Sequence, residues 1–225
     1  MIYNIAIDGP AGAGKSTIAK KLAKELEFIY VDTGAMYRAM ALCLMEHHVA
    51  AEDDDAIRKL CRENTVTLAY RDGEQQVLLN DVNVNGKIRT EEVGKMTSAS
   101  SKNPAIREKM TQMQKELAKS QNVIMDGRDI GTAVLPDAFL KIYMTAGAHE
   151  RALRRYRELT AKGESVELEK IEQDILARDE QDMNREISPL KKAEDAVLLD
   201  TTTMNIDEVV AEMKRLFMER KEAES

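Results

Sequence analysis

Gly9-Pro10-Ala11-Gly12-Ala13-Gly14-Lys15-Ser16-Thr17 follows the apolar run Ile5-Ala6-Ile7-Asp8 and opens a stretch of helical spacing. It fills every fixed position of G-x-x-x-x-G-K-[ST], in the strand–loop–helix setting that gives the pattern meaning. A loop wrapped around phosphate oxygens must bring backbone N–H groups within hydrogen-bond reach, and glycines keep side chains out of the way. The helix behind it adds the partial positive charge of its N-terminus. The stretch therefore predicts a phosphate cradle, with Lys15 reaching β- and γ-phosphates and the Ser16 hydroxyl on Mg2+. Asp8, at the strand end, fits either a plain strand terminus or a carboxylate supporting the site.

Outward from this loop the chain alternates strands and helices. Lys15 to Leu26 reads as a helix with Ile18, Leu22 and Leu26 on one face. Phe28 to Val31 is a buried strand, and Ala35 to His47 a helix carrying Met36, Met40 and Leu44. The acidic run Glu52 to Asp55 suits a helix start. Val66, Leu68 and Tyr70 alternate before Asp72-Gly73, Val77-Leu78-Leu79 follows, and Val82 and Val84 alternate before Asn85-Gly86. These predict three short antiparallel strands within 66–89. Asn103-Pro104 caps a helix whose expected stripe is Ile106, Met110, Met113 and Leu117. Strands follow at Asn122 to Asp126, Phe139 to Thr145 and Ala196 to Asp200. Asn205 with Glu208 makes a capping box for a last helix with Ile206, Val209, Val210, Met213 and Leu216 as its apolar face. The fold class expected is α/β, a doubly wound five-stranded parallel sheet with ligands outside the carboxyl ends of its strands.

At 225 residues and 43% hydrophobic, the chain can bury one sizeable core. Its net charge of −7 provides no global basic field, so nucleic acid is not an expected partner and an anionic ligand must be held by locally gathered cations. Cys43 and Cys61 stand far apart and read as buried free thiols of a reducing compartment. The three histidines lack metal-ligand spacing. No run reaches membrane-spanning length and the first strand begins at once, so a soluble cytoplasmic protein is expected. With no heptad seam to pair, a monomer is expected.

Three groups of arginines are candidates for the anion. Arg38 follows Asp32-Thr33-Gly34 after the second strand, and Arg128-Asp129 follows the third. Arg151, Arg154 and Arg155 at i, i+3 and i+4 put three guanidiniums on one helix face, with Arg157 beside them, which favours a phosphate-facing role over pairing with Glu150 and Glu158. Arg178, Asp182 and Arg185 at i, i+4 and i+7 share a helix stripe. That ladder fits helix stabilisation, or two positive forks for phosphate with a carboxylate between them for a sugar hydroxyl. Ala161 to Ser165 is a break suited to a mobile lid.

Together Gly9 to Thr17, Asp32-Thr-Gly-Ala-Met-Tyr-Arg38, Asp126-Gly-Arg-Asp-Ile-Gly-Thr132 and Arg178-Asp-x-x-Asp-x-Asn-Arg185 resemble the bacterial cytidylate kinases, from the first strand to the last helix. The resemblance implies one P-loop nucleoside-monophosphate-kinase-like domain over 1–225, with 66–89 as an acceptor-side insert and 149–188 as a helical, arginine-rich lid. It implies ATP as phosphoryl donor, held by Gly9, Pro10, Ala11, Gly12, Ala13, Gly14, Lys15, Ser16 and Thr17, with Ser16 on Mg2+. CMP or dCMP would be the acceptor: Arg38, Arg128 and Arg185 on its phosphate, Ser98, Arg107 and Asp129 on the cytosine edge, and Asp182 with Arg178 on the ribose. Thr33 keeps a hydroxyl where the family often has serine, and Arg154 would close over the donor phosphates. A carboxylate at Asp129 suits the cytosine amine and repels the carbonyl uracil offers there. Lys15, Arg128, Arg185 and Arg154 would carry catalysis by in-line phosphoryl transfer, needing neither covalent intermediate nor general base.

Two other readings are open to test. Another P-loop kinase would turn over AMP, UMP or a non-nucleotide alcohol with CMP inert. A regulatory nucleotide switch needs D-x-x-G and N-K-x-D elements, which the chain lacks.

Overall fold

The computed structural model describes residues 2–71 and 74–224. The chain divides into two compact units: one takes it up to Tyr30 and again from Ser120 onward, the other is Val31–Lys119.

The first unit opens with β1 (Asn4–Asp8), the glycine loop and α1 (Lys15–Leu26), and β2 (Ile29–Asp32) crosses into the second unit. The second unit holds α2 (Thr33–Glu46), α3 (Asp54–Glu63), β3 (Val66–Arg71), β4 (Glu74–Leu79), β5 (Val82–Asn83), α4 (Glu91–Ser100) and α5 (Pro104–Ala118). The first unit resumes with β6 (Val123–Gly127), a single π-type turn at Ile130–Val134, β7 (Leu140–Thr145), α6 (Ala148–Ala161), α7 (Leu168–Asn184), β8 (Val197–Asp200) and α8 (Ile206–Ala223).

The large sheet is parallel with strand order β2-β6-β1-β7-β8, the doubly wound topology expected from the alternation of elements. β1 is central, so its residues are buried on both faces and read as an unbroken apolar run. Register places Ile7 beside Asp126 and Asp8 beside Gly127, which brings two acidic residues, the last of β1 and the last but one of β6, to the same edge. Ile5, Ile7, Ile18, Leu22, Ile142 and Met213 lie in the core of this unit. Phe217 meets Tyr3, Phe28 and Phe139 edge-on, with ring centroids 5.5–5.6 Å apart. Asn205 and Glu208 form the expected capping box on α8. Its buried face is Val209, Val210, Met213 and Phe217, whereas Ile206, in the first turn, is exposed.

The second unit packs α2 against α3, α4 and α5. The insert is the expected three-stranded antiparallel sheet, in order β3-β4-β5. The Asp72-Gly73 turn lies outside the described residues. The β4–β5 turn is Asn80-Asp81, both at positive φ, the geometry in which Asn and Asp are favoured. Asn85 does not end a long third strand: its side chain accepts from the Val77 N–H at 2.9 Å and donates to Gln75 O at 2.9 Å, replacing main-chain pairing. β5 is therefore only two residues long. On α5 the buried positions are Ile106, Arg107, Met110, Gln114 and Ala118, so the stripe runs along i+4 steps rather than through Met113 and Leu117.

Candidate active site

The glycine loop owes its course to backbone geometry that a side chain would forbid. Gly9 has φ +152°, and a Cβ there would lie 1.9 Å from the Met144 carbonyl oxygen. Gly14 precedes α1 at φ 87° with no side-chain cap, so the first N–H groups of the helix face the loop. Lys15 is buried, and its ammonium donates to Gly9 O at 2.8 Å and Pro10 O at 2.7 Å. Burial holds it well below the usual lysine range, and Arg128 adds repulsion, while Asp126 and Asp8 pull the other way.

Two carboxylates brace the loop's surroundings. Asp8 accepts from the Ile130 and Gly131 N–H groups, each at 2.7 Å, and so fixes the π-type turn that follows Arg128-Asp129. Burial pushes its carboxyl up to about 6, against the lowering effect of those two donors. Asp126, the penultimate residue of β6, accepts from Ser16 Oγ at 2.8 Å and from the Tyr30 hydroxyl at 2.9 Å. Neither Asp126 nor Tyr30 stood out as a site residue in the sequence. The available signal for Asp126 was a carboxylate closing an apolar run, and only the parallel register sets it beside the loop.

A charge network extends from the turn after β6. Arg128 Nε donates to Asp182 Oδ2 at 2.8 Å. Arg185 reaches Asp182 at 3.8 Å and Asp129 at 3.4 Å, and its Nε donates to Ser188 O at 2.6 Å. Arg178 stands one turn before Asp182 on α7, near enough for its charge to press on Lys15. Lys15, Arg128, Asp129, Arg178, Asp182 and Arg185 thus belong to one neighbourhood of the first unit. Arg185 is not on the helix stripe. α7 ends at Asn184, and Arg185 is extended at φ −66°, ψ 142°, so its side chain turns back towards Asp182 from outside the helix.

The three guanidiniums expected on one face of α6 separate. Arg155 is exposed and pairs with Glu158 at 2.9 Å. Arg154 pairs with Glu150 at 3.4 Å and donates to Thr201 O at 2.7 Å and to Ala13 O of the glycine loop at 3.4 Å. Arg151 is buried: it donates to Ala11 O and meets Asp179, a residue of the Arg178-Asp-x-x-Asp motif to which the sequence assigned no site role. α6 ends at Ala161, and Gly163, at φ 82°, closes the turn into an antiparallel pairing with α7.

In the second unit, the Asp32 carboxylate accepts from Ala35 N at 2.9 Å as the cap of α2 and pairs with Arg89 at 2.8 Å. Thr33 is buried in the first turn of α2, and Arg38, half-buried, points a guanidinium N–H at Ile88 O, 3.5 Å away. Arg107 is buried, donates to Ser101 O at 3.1 Å and lies 5.6 Å from the centre of the Tyr37 ring. Of the hydroxyls in 97–101, those of Thr97, Ser100 and Ser101 bond carbonyls of Val93, Met96 and Ser98. Ser98 is half-buried on α4, a helix without a clear apolar stripe.

Among the described residues there is no group of three or more His, Cys, Asp or Glu placed to hold a metal, and no helix is long and apolar enough to cross a membrane.

Residues 5–219 match the model of the cytidylate kinase family. The chain is 49% identical to the cytidylate kinase of Carboxydothermus hydrogenoformans over 93% of this chain and 94% of that one. It is 48% identical to that of Halalkalibacterium halodurans over 92% and 93%. A solved structure of an uncharacterised Eubacterium ventriosum protein shares the fold at TM-score 0.53 and 12% identity, over 97% of this chain and 99% of that one.

Proposed function

Because the chain belongs to the cytidylate kinase family, we propose that its own residues divide the work of phosphoryl transfer as follows. The enzyme moves the γ-phosphoryl group of ATP to CMP or dCMP, giving ADP and CDP or dCDP. Gly9 to Thr17 hold the donor phosphates, and Lys15 exchanges the carbonyls of Gly9 and Pro10 for phosphate oxygens. Its low-dielectric surroundings make that ammonium a stronger electrostatic partner than it would be in water. Arg154 reaches the donor side from α6.

The network of Arg128, Asp182, Arg185 and Asp129 is the observation that carries the reading. Two mutually repelling polyanions must meet, and the acidic chain must supply compensation locally. Held by Asp182 and Asp129, the forks of Arg128 and Arg185 are oriented before the acceptor phosphate arrives, so their alignment costs little when it does. The same carboxylates then serve the nucleoside, Asp182 with Arg178 at the ribose and Asp129 at the cytosine amine. Arg38 is assigned to the acceptor phosphate, Arg107 and Ser98 to the base, and the Thr33 hydroxyl to the acceptor as well. The acceptor phosphate is already ionised at neutral pH, so no general base is assigned.

The Ser16 hydroxyl and Asp126 carboxylate, 2.8 Å apart, are hard oxygen donors that fit Mg2+. A site with so few protein donors suits an ion that takes its other ligands from phosphate and water. When bound it neutralises charge on the β- and γ-phosphate oxygens. All these roles come from one chain, which supports a monomeric enzyme organised as a single kinase domain, with 66–89 on the acceptor side and 149–188 as the lid. A cytoplasmic location is proposed with it, where such nucleotides would serve as substrates.

ADP formation from ATP with each nucleoside monophosphate in turn tests the reading. Turnover of CMP and dCMP is expected; turnover of AMP or UMP with CMP inert overturns it.

A further inference from the structure

Ala11 of the glycine loop is held through both its backbone donor and its backbone acceptor. Its N–H donates to Asp179 Oδ1 at 3.1 Å, and its carbonyl accepts from Arg151 Nη1 at 2.7 Å. The same Nη1 meets Asp179 Oδ2 at 2.7 Å, which closes a ring through one residue's donor and acceptor. Arg151 Nε is fixed in turn on Ala146 O at 2.9 Å. Both charged residues are almost fully buried, Arg151 5% and Asp179 6% exposed.

Stability alone is a poor reason for such a pair. Desolvating two charges costs about what their attraction returns, and well-packed apolar residues often serve a fold as well or better. What apolar residues cannot do is hold the N–H and C=O of Ala11. That residue stands between Gly9, at φ 152°, and Gly12, at φ 74°, positions with the widest backbone freedom in the loop. Gly12 also packs on Arg151, since a Cβ there would sit 3.3 Å from Arg151 Cβ.

We propose that Arg151 and Asp179 are positioning residues for phosphoryl transfer: they clamp Ala11 so that the loop is held in its phosphate-binding form before ATP arrives. Arg151 comes from the first turn of α6 and Asp179 from α7, so the clamp also ties the loop to the helices that carry Arg154, Arg178 and Asp182. This rests on the reading that Gly9 to Thr17 hold the donor phosphates.

The test is steady-state kinetics with ATP binding by titration, on the unsubstituted enzyme, on Asp179→Asn, and on the double variant Arg151→Met with Asp179→Leu, which leaves no buried charge unpaired. Loss of loop alignment is expected to lower kcat/KM for ATP by about 10²-fold, with KM for CMP changed less than about twofold. Arg151→Lys keeps the ion pair but not all three N–H bonds, and an intermediate value is expected. A merely structural pair would reduce the amount of folded enzyme and leave KM for ATP alone. Folded variants with unchanged ATP kinetics and binding overturn the clamp. No ATP binding by the unsubstituted enzyme overturns the reading of the loop instead. If no variant folds, amide exchange in the unsubstituted, nucleotide-free enzyme decides: the Ala11 N–H should be protected like those of Ile5 and Ile7, and rapid exchange overturns the clamp.

Discussion

Ser16 Oγ donates to Asp126 Oδ2 at 2.8 Å, joining the residue after the loop lysine to the end of a strand 110 residues further along. The bond holds two oxygen donors side by side where the parallel pairing of β1 with β6 sets them. Replacing Asp126 by Asn keeps the shape and removes the charge that a divalent cation needs. The Mg2+ concentration giving half-maximal rate should rise about tenfold or more, as should the loss in kcat at ordinary Mg2+. A Mg2+ titration of the variant that superimposes on that of the parent contradicts the assignment.

Tyr30 gives a smaller effect by the same route. Its hydroxyl donates to the other oxygen of Asp126 at 2.9 Å, so Tyr30→Phe leaves the carboxylate charged but less firmly oriented. One hydrogen bond to a charged group is worth about 1.5–3 kcal/mol, and only part of that should reach the rate. A threefold to tenfold loss in kcat is expected, about 1 kcal/mol, with KM for CMP unchanged. Stopped-time assays at saturating Mg2+ should recover part of the loss if Tyr30 acts through the metal site.

Asp8 predicts a pH dependence of stability whose sign follows from its environment. Its carboxyl is raised from 3.8 to about 6 in the folded chain, so the native state holds the proton that the unfolded state has released between those values. Its contribution to stability is therefore complete below about pH 4 and lost as pH rises through about 6, by about 3 kcal/mol at most. Asp8→Asn does not titrate. The stability of the parent minus that of the variant, from urea denaturation, should fall between pH 4 and pH 6.5 and then level off; a difference that grows with pH is the opposite sign and rejects it.

How much of this is legible in the sequence depends on the range of the interaction. Lys15–Leu26 and the capping box of α8 are local: a few residues carry the periodicity or the cap, and both stand where the chain announces them. α4 announces nothing, because its inward positions are Val93, Thr97 and Ser100, two of them hydroxyls that fold back on their own helix. Counting i, i+4 and i+7 placed Arg185 on a helix that ends one residue earlier, yet the pairing with Asp182 survives because the side chain is long. Spacing also merged Arg151, Arg154 and Arg155, whose partners lie 28, 47 and 3 residues away at Asp179, Thr201 and Glu158. The first two partners are chosen by tertiary packing, and no local pattern encodes them; Glu158 is the neighbour one turn away that the spacing also offered.

Arg128 and Arg155 put the division among the arginines to a direct test. Arg155 is half exposed and bridges to Glu158 across one turn, an arrangement worth under about 1 kcal/mol and remote from the charge network. Arg155→Ala should leave kcat and both KM values within about twofold. Arg128 is mostly shielded, paired with Asp182, and close enough to shift the Lys15 ammonium. On the proposed assignment, Arg128→Ala removes a cation from between the two polyanions and leaves Asp182 without that partner, so the acceptor phosphate would meet net repulsion. A fall in kcat of about 10²–10⁵-fold is expected, by analogy with arginines that stabilise phosphoryl transfer. Arg128→Lys should restore little, because an ammonium lacks the planar, rigid fork that can face carboxylate and phosphate in a fixed geometry. Equal rates for the Arg128→Ala and Arg155→Ala enzymes would mean that the network around Asp182 does not face the reaction.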